Sequence, residues 1–285
     1  MVRTRSMLAA AVLLFAACSA PSGKGAPDTD GTPEGEFEPT AVAEPGPVEL
    51  ESFDVEAPSG RVRVHASGPH GAPLVLWVHG TPGDWTAFER MLREPFGGAR
   101  QVAVDRPGFG DSEPDGAVTS LRAQAEALAA VLDGEGPAVV VGHSLGGPIA
   151  ARLAVDRPDL VRGLVLVAAS MDPGAERTEW FNVAGVLFSS VISRELRNAN
   201  REVLALEPQL RELGDELALV RAPVVLVHGT SDSLVPFSNL AYTRSMLVGA
   251  ASVETVVLDG EDHFVPWTRP DVVRDAVESL LRRRP

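Results

Sequence analysis

Val139-Val140-Val141-Gly142-His143-Ser144-Leu145-Gly146-Gly147 is the stretch that decides the reading of this chain. A β-branched run ends in Gly-x-Ser-x-Gly, and a helix-like segment, Pro148 to Arg157, follows at once. A strand that turns this sharply into a helix pushes the serine hydroxyl off the end of the sheet. The serine backbone is then strained, and side chains two residues either side would collide, so glycine is needed at 142 and 146. Gly-x-Ser-x-Gly alone also occurs in ordinary turns; the strand before it and the helix after it separate the two cases.

Four further loops follow strand-like runs. Leu74 to Val78 leads into His79-Gly80-Thr81-Pro82-Gly83, and Gln101 to Val104 into Asp105-Arg106-Pro107-Gly108-Phe109-Gly110-Asp111-Ser112. Pro223 to Val227 leads into His228-Gly229-Thr230-Ser231-Asp232, and Val253 to Leu258 into Asp259-Gly260-Glu261-Asp262-His263-Phe264. The runs are continuous rather than alternating, which suits parallel strands buried on both faces. Helical spacing lies between them: Leu121, Ala125, Leu128 and Val131 or Leu132 in Thr119 to Leu132, and Val273, Val277, Leu280 and Leu281 in Pro270 to Arg284. Arg282 to Arg284 suit the negative end of that last helix. The alternation predicts an α/β fold with a doubly wound, mostly parallel sheet. Two weakly patterned opening strands fall near Val48 to Val55 and Arg61 to His65.

With its five motifs in this order, the chain resembles the α/β-hydrolase family over residues 48 to 285, in its serine hydrolase, esterase-like branch. The resemblance implies a nucleophile elbow at Ser144 and a triad in the chain order Ser, acid, His. A serine hydroxyl needs a base to take its proton, and an imidazole titrates near the working pH. His263 is the expected base. Asp232 is the expected acid, holding the other ring nitrogen and fixing the tautomer; Asp172, after the strand Leu164 to Ala168, is the rival. The oxyanion of the tetrahedral intermediate would be received by the backbone N–H groups of Thr81 and Leu145. His79 and His228 read as structural hydrogen-bonders, and Asp105 and Arg106 as braces of their loop. His143 reads as packing beside the elbow, and Asp262 as pointing away from the imidazole. The resemblance also implies antiparallel opening strands and a small helical cap inserted after the sixth strand, at about 171–220. In that insert Trp180, Phe181, Val183, Leu187, Phe188, Val191 and Ile192 form an apolar set that either faces the site or packs the cap onto the body. Arg201, Glu202 and Glu207 are expected in solvent; if one were buried, it could read a polar substrate group.

Composition narrows the field. Apolar residues make up 45% of the 285, enough for a sizeable core. The net charge of −14 argues against nucleic acid and against docking on anionic lipid. No His/Cys/Asp cluster has ligand spacing, so neither a metal nor an organic cofactor is implied. The substrate is expected to be a small acyl compound cleaved through an acyl-enzyme. Haloalkane dehalogenases and epoxide hydrolases share the His-Gly-x-Pro loop but carry Asp where Ser144 stands. Proline iminopeptidases usually read His-Gly-Gly-Pro-Gly, from which Thr81 departs. C–C bond hydrolases, perhydrolases and acyltransferases keep the same triad and stay open, as does a tethered binding protein with a vestigial site.

The N-terminus reads as an address. Arg3 and Arg5 precede an apolar run, Met7 to Ala17, too short for the about 20 residues a bilayer core requires, so residues 1–17 are expected to be a signal peptide. Leu14-Phe15-Ala16-Ala17-Cys18 resembles a bacterial lipoprotein signal, although Phe15 stands where that signal usually has Leu. Cys18, the single cysteine, would then carry the lipid and hold the protein at the outer side of a bacterial cell envelope; a secreted soluble form is the alternative. Residues 18–47, rich in Pro, Gly, Ala and acids, cannot bury enough apolar surface to fold and form a linker. Such a coil would hold the enzyme on the order of 30 Å from its anchor. On this reading Cys18→Ser moves the protein from the membrane fraction to the soluble fraction, which fractionation and immunoblotting check; unchanged retention refutes lipidation.

Overall fold

A run of parallel strands that are apolar at every position can only be buried on both faces, and the centre of this molecule is built that way. The structure, a computed structural model, describes residues 48–176 and 192–283. Eight strands form one sheet in the spatial order β1-β2-β4-β3-β5-β6-β7-β8. They are β1 (Glu51–Ala57), β2 (Gly60–Ser67), β3 (Leu74–Val78), β4 (Arg100–Val104), β5 (Ala138–His143), β6 (Val161–Val167), β7 (Val224–Gly229) and β8 (Val253–Leu258). β1 pairs antiparallel with β2 and β2 with β4, while every other pairing is parallel. Each residue of β3, β4, β5 and β7 is buried.

Alternation along a strand sends neighbouring side chains to opposite faces. On one face Leu74, Leu76, Val140 and Leu164 pack with Leu128 of α2 (Leu121–Glu135) and with Ile149 and Leu153 of α3 (Gly146–Asp156). On the other, Val75, Trp77, Val139 and Val165 pack with Met91 and Leu92 of α1 (Glu89–Arg93) and with Val273 and Val277 of α7 (Pro270–Leu281). This is the doubly wound α/β sheet that the alternation of strands and helices predicts. The remaining helices are α4 (Arg194–Glu216), α5 (Ser238–Met246) and the short α6 (Val265–Thr268).

Local chemistry sets the helix ends. Ser120 caps α2 by accepting from Ala123 N at 3.2 Å, and Ser193 caps α4 by accepting from Leu196 N at 3.3 Å. Pro270 occupies the first turn of α7, where a missing N–H costs nothing. Three sequence expectations shift. The first strand runs 51–57 rather than 48–55 because pairing with β2, from Glu51↔Ala66 to Ala57↔Gly60, sets its register. The helix after Ser144 starts at Gly146, not Pro148, so the turn passes into the helix without a spacer. The last helix ends at Leu281, and Arg282 pairs with Glu278 at 2.9 Å instead of extending it.

The segment between β6 and β7 holds the 23-residue helix α4, which leads towards β7 through a 3₁₀ turn at Leu217–Leu219. Trp180, Phe181, Val183, Leu187, Phe188 and Val191 lie outside the described residues, as do residues 1–47 with Cys18; Ile192 is described and half-buried.

Two buried polar contacts lock the sheet. Arg100 opens β4 and is 1% exposed; Glu135 at 2.7 Å and Glu51 at 2.9 Å pair with it. Trp77 Nε1 donates to Gln101 Oε1 at 2.9 Å inside the core. Trp77→Phe removes that donor and strands the buried amide oxygen. It is expected to lower stability by about 2 kcal/mol, read by urea unfolding.

Candidate active site

The turn after β5 is made by Ser144. Ser144 adopts φ 54°, in the left-handed region, one of two non-glycine residues to do so among the described ones. It is held there by Ser144 N donating to Val167 O at 3.0 Å and by Gly147 N donating to Ser144 O at 3.0 Å. Gly142 and Gly146 are required by contact. A Cβ on Gly142 would strike Gly146 O, and one on Gly146 would strike the carbonyls of Val78 and His79. The His79-Gly80 loop therefore lies directly on the elbow, with room at Gly80 for no side chain: a Cβ there would sit 2.8 Å from Ser144 Cβ. Thr81 and Leu145, the expected oxyanion donors, flank the serine from these two sides. Leu145 is the N-cap of α3, whose first N–H groups lack intrahelical partners and face the positive end of the helix. Thr81 is half-buried, and its Oγ1 has no hydrogen-bond partner.

Loops after β7 and β8 bring Asp232 and His263 together. His263 Nδ1 bonds Asp232 Oδ2 at 2.8 Å, and both residues are buried. The other carboxylate oxygen accepts from Leu234 N at 2.9 Å and Val235 N at 2.8 Å. His228 Nε2, bonded to Val235 O at 3.0 Å, stands 3.4 Å from Asp232 Oδ2. Burial pushes the Asp232 carboxyl up, but the hydrogen bonds from His228 and His263 outweigh it and hold the group well below the usual carboxylate range. Asp172 does not meet the imidazole; its Oδ1 accepts from Gly174 N at 2.8 Å, and its own N–H is held by Asn239. Asp262 caps its own turn by accepting from Phe264 N at 2.8 Å.

His143 links elbow and imidazole. Its Nε2–H donates to the backbone carbonyl of His263 at 3.0 Å, and the two rings pack with centroids 4.8 Å apart. The ring that precedes Ser144 in the chain thus rests on the ring of His263.

The His79 loop is braced from beneath. Arg106, 0% exposed, donates from Nε to His79 O at 2.9 Å and from Nη2 to Gly80 O at 2.9 Å. Arg106 N donates to His79 Nε2 at 3.0 Å, so His79 carries its proton on Nδ1, which donates to Gly80 O at 2.7 Å. Burial first, and the Arg106 charge second, push His79 well below the usual imidazole range and keep it neutral. The guanidinium lies 4.8 Å over the Phe109 ring. Its terminal edge meets Glu202 of α4, with Nη1 to Oε1 at 2.8 Å and Nη2 to Oε2 at 3.1 Å.

Glu202 is a correction. It was expected in solvent, yet it is 3% exposed and paired, because helix α4 turns that face onto a buried cation that requires a counter-charge. Arg201 is exposed, and Glu207 is half-exposed and pairs with Arg211 at 2.6 Å. The roles of Glu202 and of His228 at the acid were missed. The only signal in sequence was an unpaired Arg106 in a loop of buried character.

Comparison with known proteins places the fold. Residues 75–276 match the model of the Alpha/beta hydrolase family, and the chain belongs to that family as one of its hydrolases. Among curated relatives it is 27% identical to a 2-hydroxy-6-oxononadienedioate/2-hydroxy-6-oxononatrienedioate hydrolase of a Pseudomonas species, over 86% of this chain and 100% of that protein. It is 42% identical to the dihydrolipoyllysine-residue acetyltransferase component of the acetoin cleaving system of Cupriavidus necator over 110 residues, 38% of this chain and only 29% of that protein. Among solved structures, the carboxylesterase CesB from Bacillus subtilis superposes with a TM-score of 0.63 at 21% identity, over 83% of this chain and 93% of that one.

Burial, and then the charge of His263, push His143 down to about 3. The folded chain refuses a proton there that the unfolded chain takes near pH 6.5. This stability is present above pH 6.5 and is lost as the pH falls towards about 3. Between pH 7 and pH 5 the wild type is expected to lose about 2 kcal/mol more than His143→Gln, measured by urea unfolding at both pH values.

Proposed function

We propose that this chain is a serine hydrolase that cleaves a carboxylic ester or related small acyl compound through an acyl-enzyme. The observation that carries this reading is the 2.8 Å bond from Asp232 to His263 Nδ1 beside an elbow whose serine has a left-handed backbone. Ser144 is the nucleophile, His263 the base, and Asp232 the acceptor that fixes the tautomer.

As Ser144 Oγ attacks the acyl carbon, its proton passes to His263 Nε2. The carbonyl π pair moves onto oxygen, and the N–H groups of Thr81 and Leu145 receive the charge. Collapse breaks the bond to the leaving alcohol, which departs with the proton from Nε2. Water then gives a proton to His263 and its oxygen to the acyl carbon, freeing the acid and restoring the serine. Asp232 stays ionised throughout, consistent with a carboxyl held below its usual range, and stabilises the imidazolium that forms twice per cycle.

Ser144 separates this chain from a carboxylate-nucleophile mechanism, because an ester intermediate of the aspartyl kind needs Asp at that position. C–C bond hydrolysis is the second reading. It is favoured by the Pseudomonas hydrolase, which aligns along its whole length. We further propose that residues 1–17 are removed, that Cys18 is lipidated, and that residues 18–47 tether the enzyme outside a bacterial cytoplasm.

Short p-nitrophenyl esters and a fluorophosphonate probe test the main reading. Ser144 is expected to be labelled, and Ser144→Ala to lose both labelling and turnover. Asp232→Asn is expected to lower kcat by about 10⁴, with Asp172→Asn within about twofold of the wild type. Turnover that survives Ser144→Ala would refute the mechanism. Labelling with ester turnover absent and a vinylogous diketone cleaved would favour the second reading.

A further inference from the structure

We infer that Glu202, on the cap helix α4, is a positioning residue for the oxyanion loop, acting through Arg106 on the peptide that carries the Thr81 N–H. This rests on the reading of Thr81 N–H as an oxyanion donor. The Gly80 carbonyl and the Thr81 N–H belong to one planar trans peptide, so whatever fixes Gly80 O also fixes the direction of that N–H. Gly80 O is gripped twice, by His79 Nδ1 at 2.7 Å and by Arg106 Nη2 at 2.9 Å. Arg106 Nε grips the preceding carbonyl, His79 O, at 2.9 Å.

A guanidinium offers five N–H donors in one plane. Those of Nε and Nη2 point at the loop, and Glu202 takes the adjacent Nη1–Nη2 edge with both oxygens, at 2.8 and 3.1 Å. Glu202 therefore sets the plane of the guanidinium about the loop. Its own position is shared with the body, since Gln124 Nε2 on α2 donates to Oε1 at 2.9 Å. Arg106 and Glu202 are 0% and 3% exposed, so water does not compete for either. The pair joins positions 96 apart in sequence and spans the insert and the sheet. Asn198 on α4 also holds the loop after β4, at Gly108 O, but among these contacts it is Glu202 that meets the guanidinium gripping Gly80 O. The N–H that it aims receives a charge that develops only in the transition state, so loss of Glu202 falls on kcat rather than on substrate binding.

Two variants of the full chain test this: Glu202→Gln, and the double replacement Arg106→Met with Glu202→Met. The second keeps the protein folded if an unpaired buried charge unfolds the first, because apolar replacement of a buried pair is often neutral. Two readouts are taken, kcat and KM on p-nitrophenyl acetate, and amide hydrogen exchange of residues 79–83 against 142–147. The folded variants are expected to lose about 10- to 100-fold in kcat with KM within about twofold, as for a misaimed oxyanion donor. Exchange is expected to quicken at 79–83 and to stay unaltered at 142–147. A folded variant with unchanged kcat, with KM changed as much as kcat, or with unchanged exchange at 79–83 would overturn the inference. Should the wild type show no Ser144-dependent turnover, the reading of the reaction fails while the exchange result still decides the role of Glu202.

Discussion

The architecture of the site depends on how closely the chain passes itself at the end of β5. Gly142, Gly146 and Gly80 lie where three backbone segments meet, and at each a single methyl group would strike a carbonyl or the serine itself. Backbone packed this tightly leaves Ser144 no other conformation than φ 54°, and the strain of that left-handed residue is borne by the hydrogen bonds to Val167 O and from Gly147 N. The position of Ser144, the start of α3 and the placement of the His79 loop are therefore one constraint and not three. The rest of the sheet serves to hold β3 and β5 side by side, in register from Leu74↔Ala138 to Val78↔Gly142.

The buried charges follow from that crowding. Water is excluded, so each ionisable group must find a partner or give up its charge. Arg106 finds Glu202 and two carbonyls. Asp232 finds two histidines and two N–H groups. His79 and His143 give up their protons. Asp105 is pushed up to about 6 by burial, against the pull of N–H donors from Asp111 and Trp85, and beside it Gly110 leaves no room for a Cβ. Its stabilising proton is present below about pH 4 and lost as the pH rises through about 6. That slope opposes those of the two neutral histidines, so the pH dependence of the fold is a difference between opposed groups.

Much of this was readable in the chain. β3, β5 and β7 could be placed to within a residue or two because a strand buried on both faces writes an unbroken apolar run. The elbow was legible because its glycines answer a local steric need. β1 was misplaced because an edge strand, half-exposed and alternating, leaves a weak pattern that register must settle. Glu202 was misread for a different reason. A glutamate in a helix rich in Arg and Glu looks solvated, and only tertiary contact at a separation of 96 positions reveals the cation beneath it. His228 and His143 were legible as buried imidazoles, but their hold on Asp232 and on the carbonyl of His263 depends on where two loops converge.

A family that shares a sheet and an elbow cannot draw its substrate range from either, since fold does not determine function. In this chain the described part of the segment between β6 and β7 is tied to the body by polar contacts. Helix α4 carries the counter-ion of the arginine that donates to the His79 and Gly80 carbonyls, and Asn198 on the same helix donates to Gly108 O at 2.7 Å and Asp115 O at 2.8 Å in the loop after β4. A change in α4 thus reaches the charge pairing beneath the His79-Gly80 loop. A sequence altered in α4 must keep Glu202 over Arg106, or replace both, because either one alone would be a buried unpaired charge, which confines freely variable positions to the helix faces that do not meet the body.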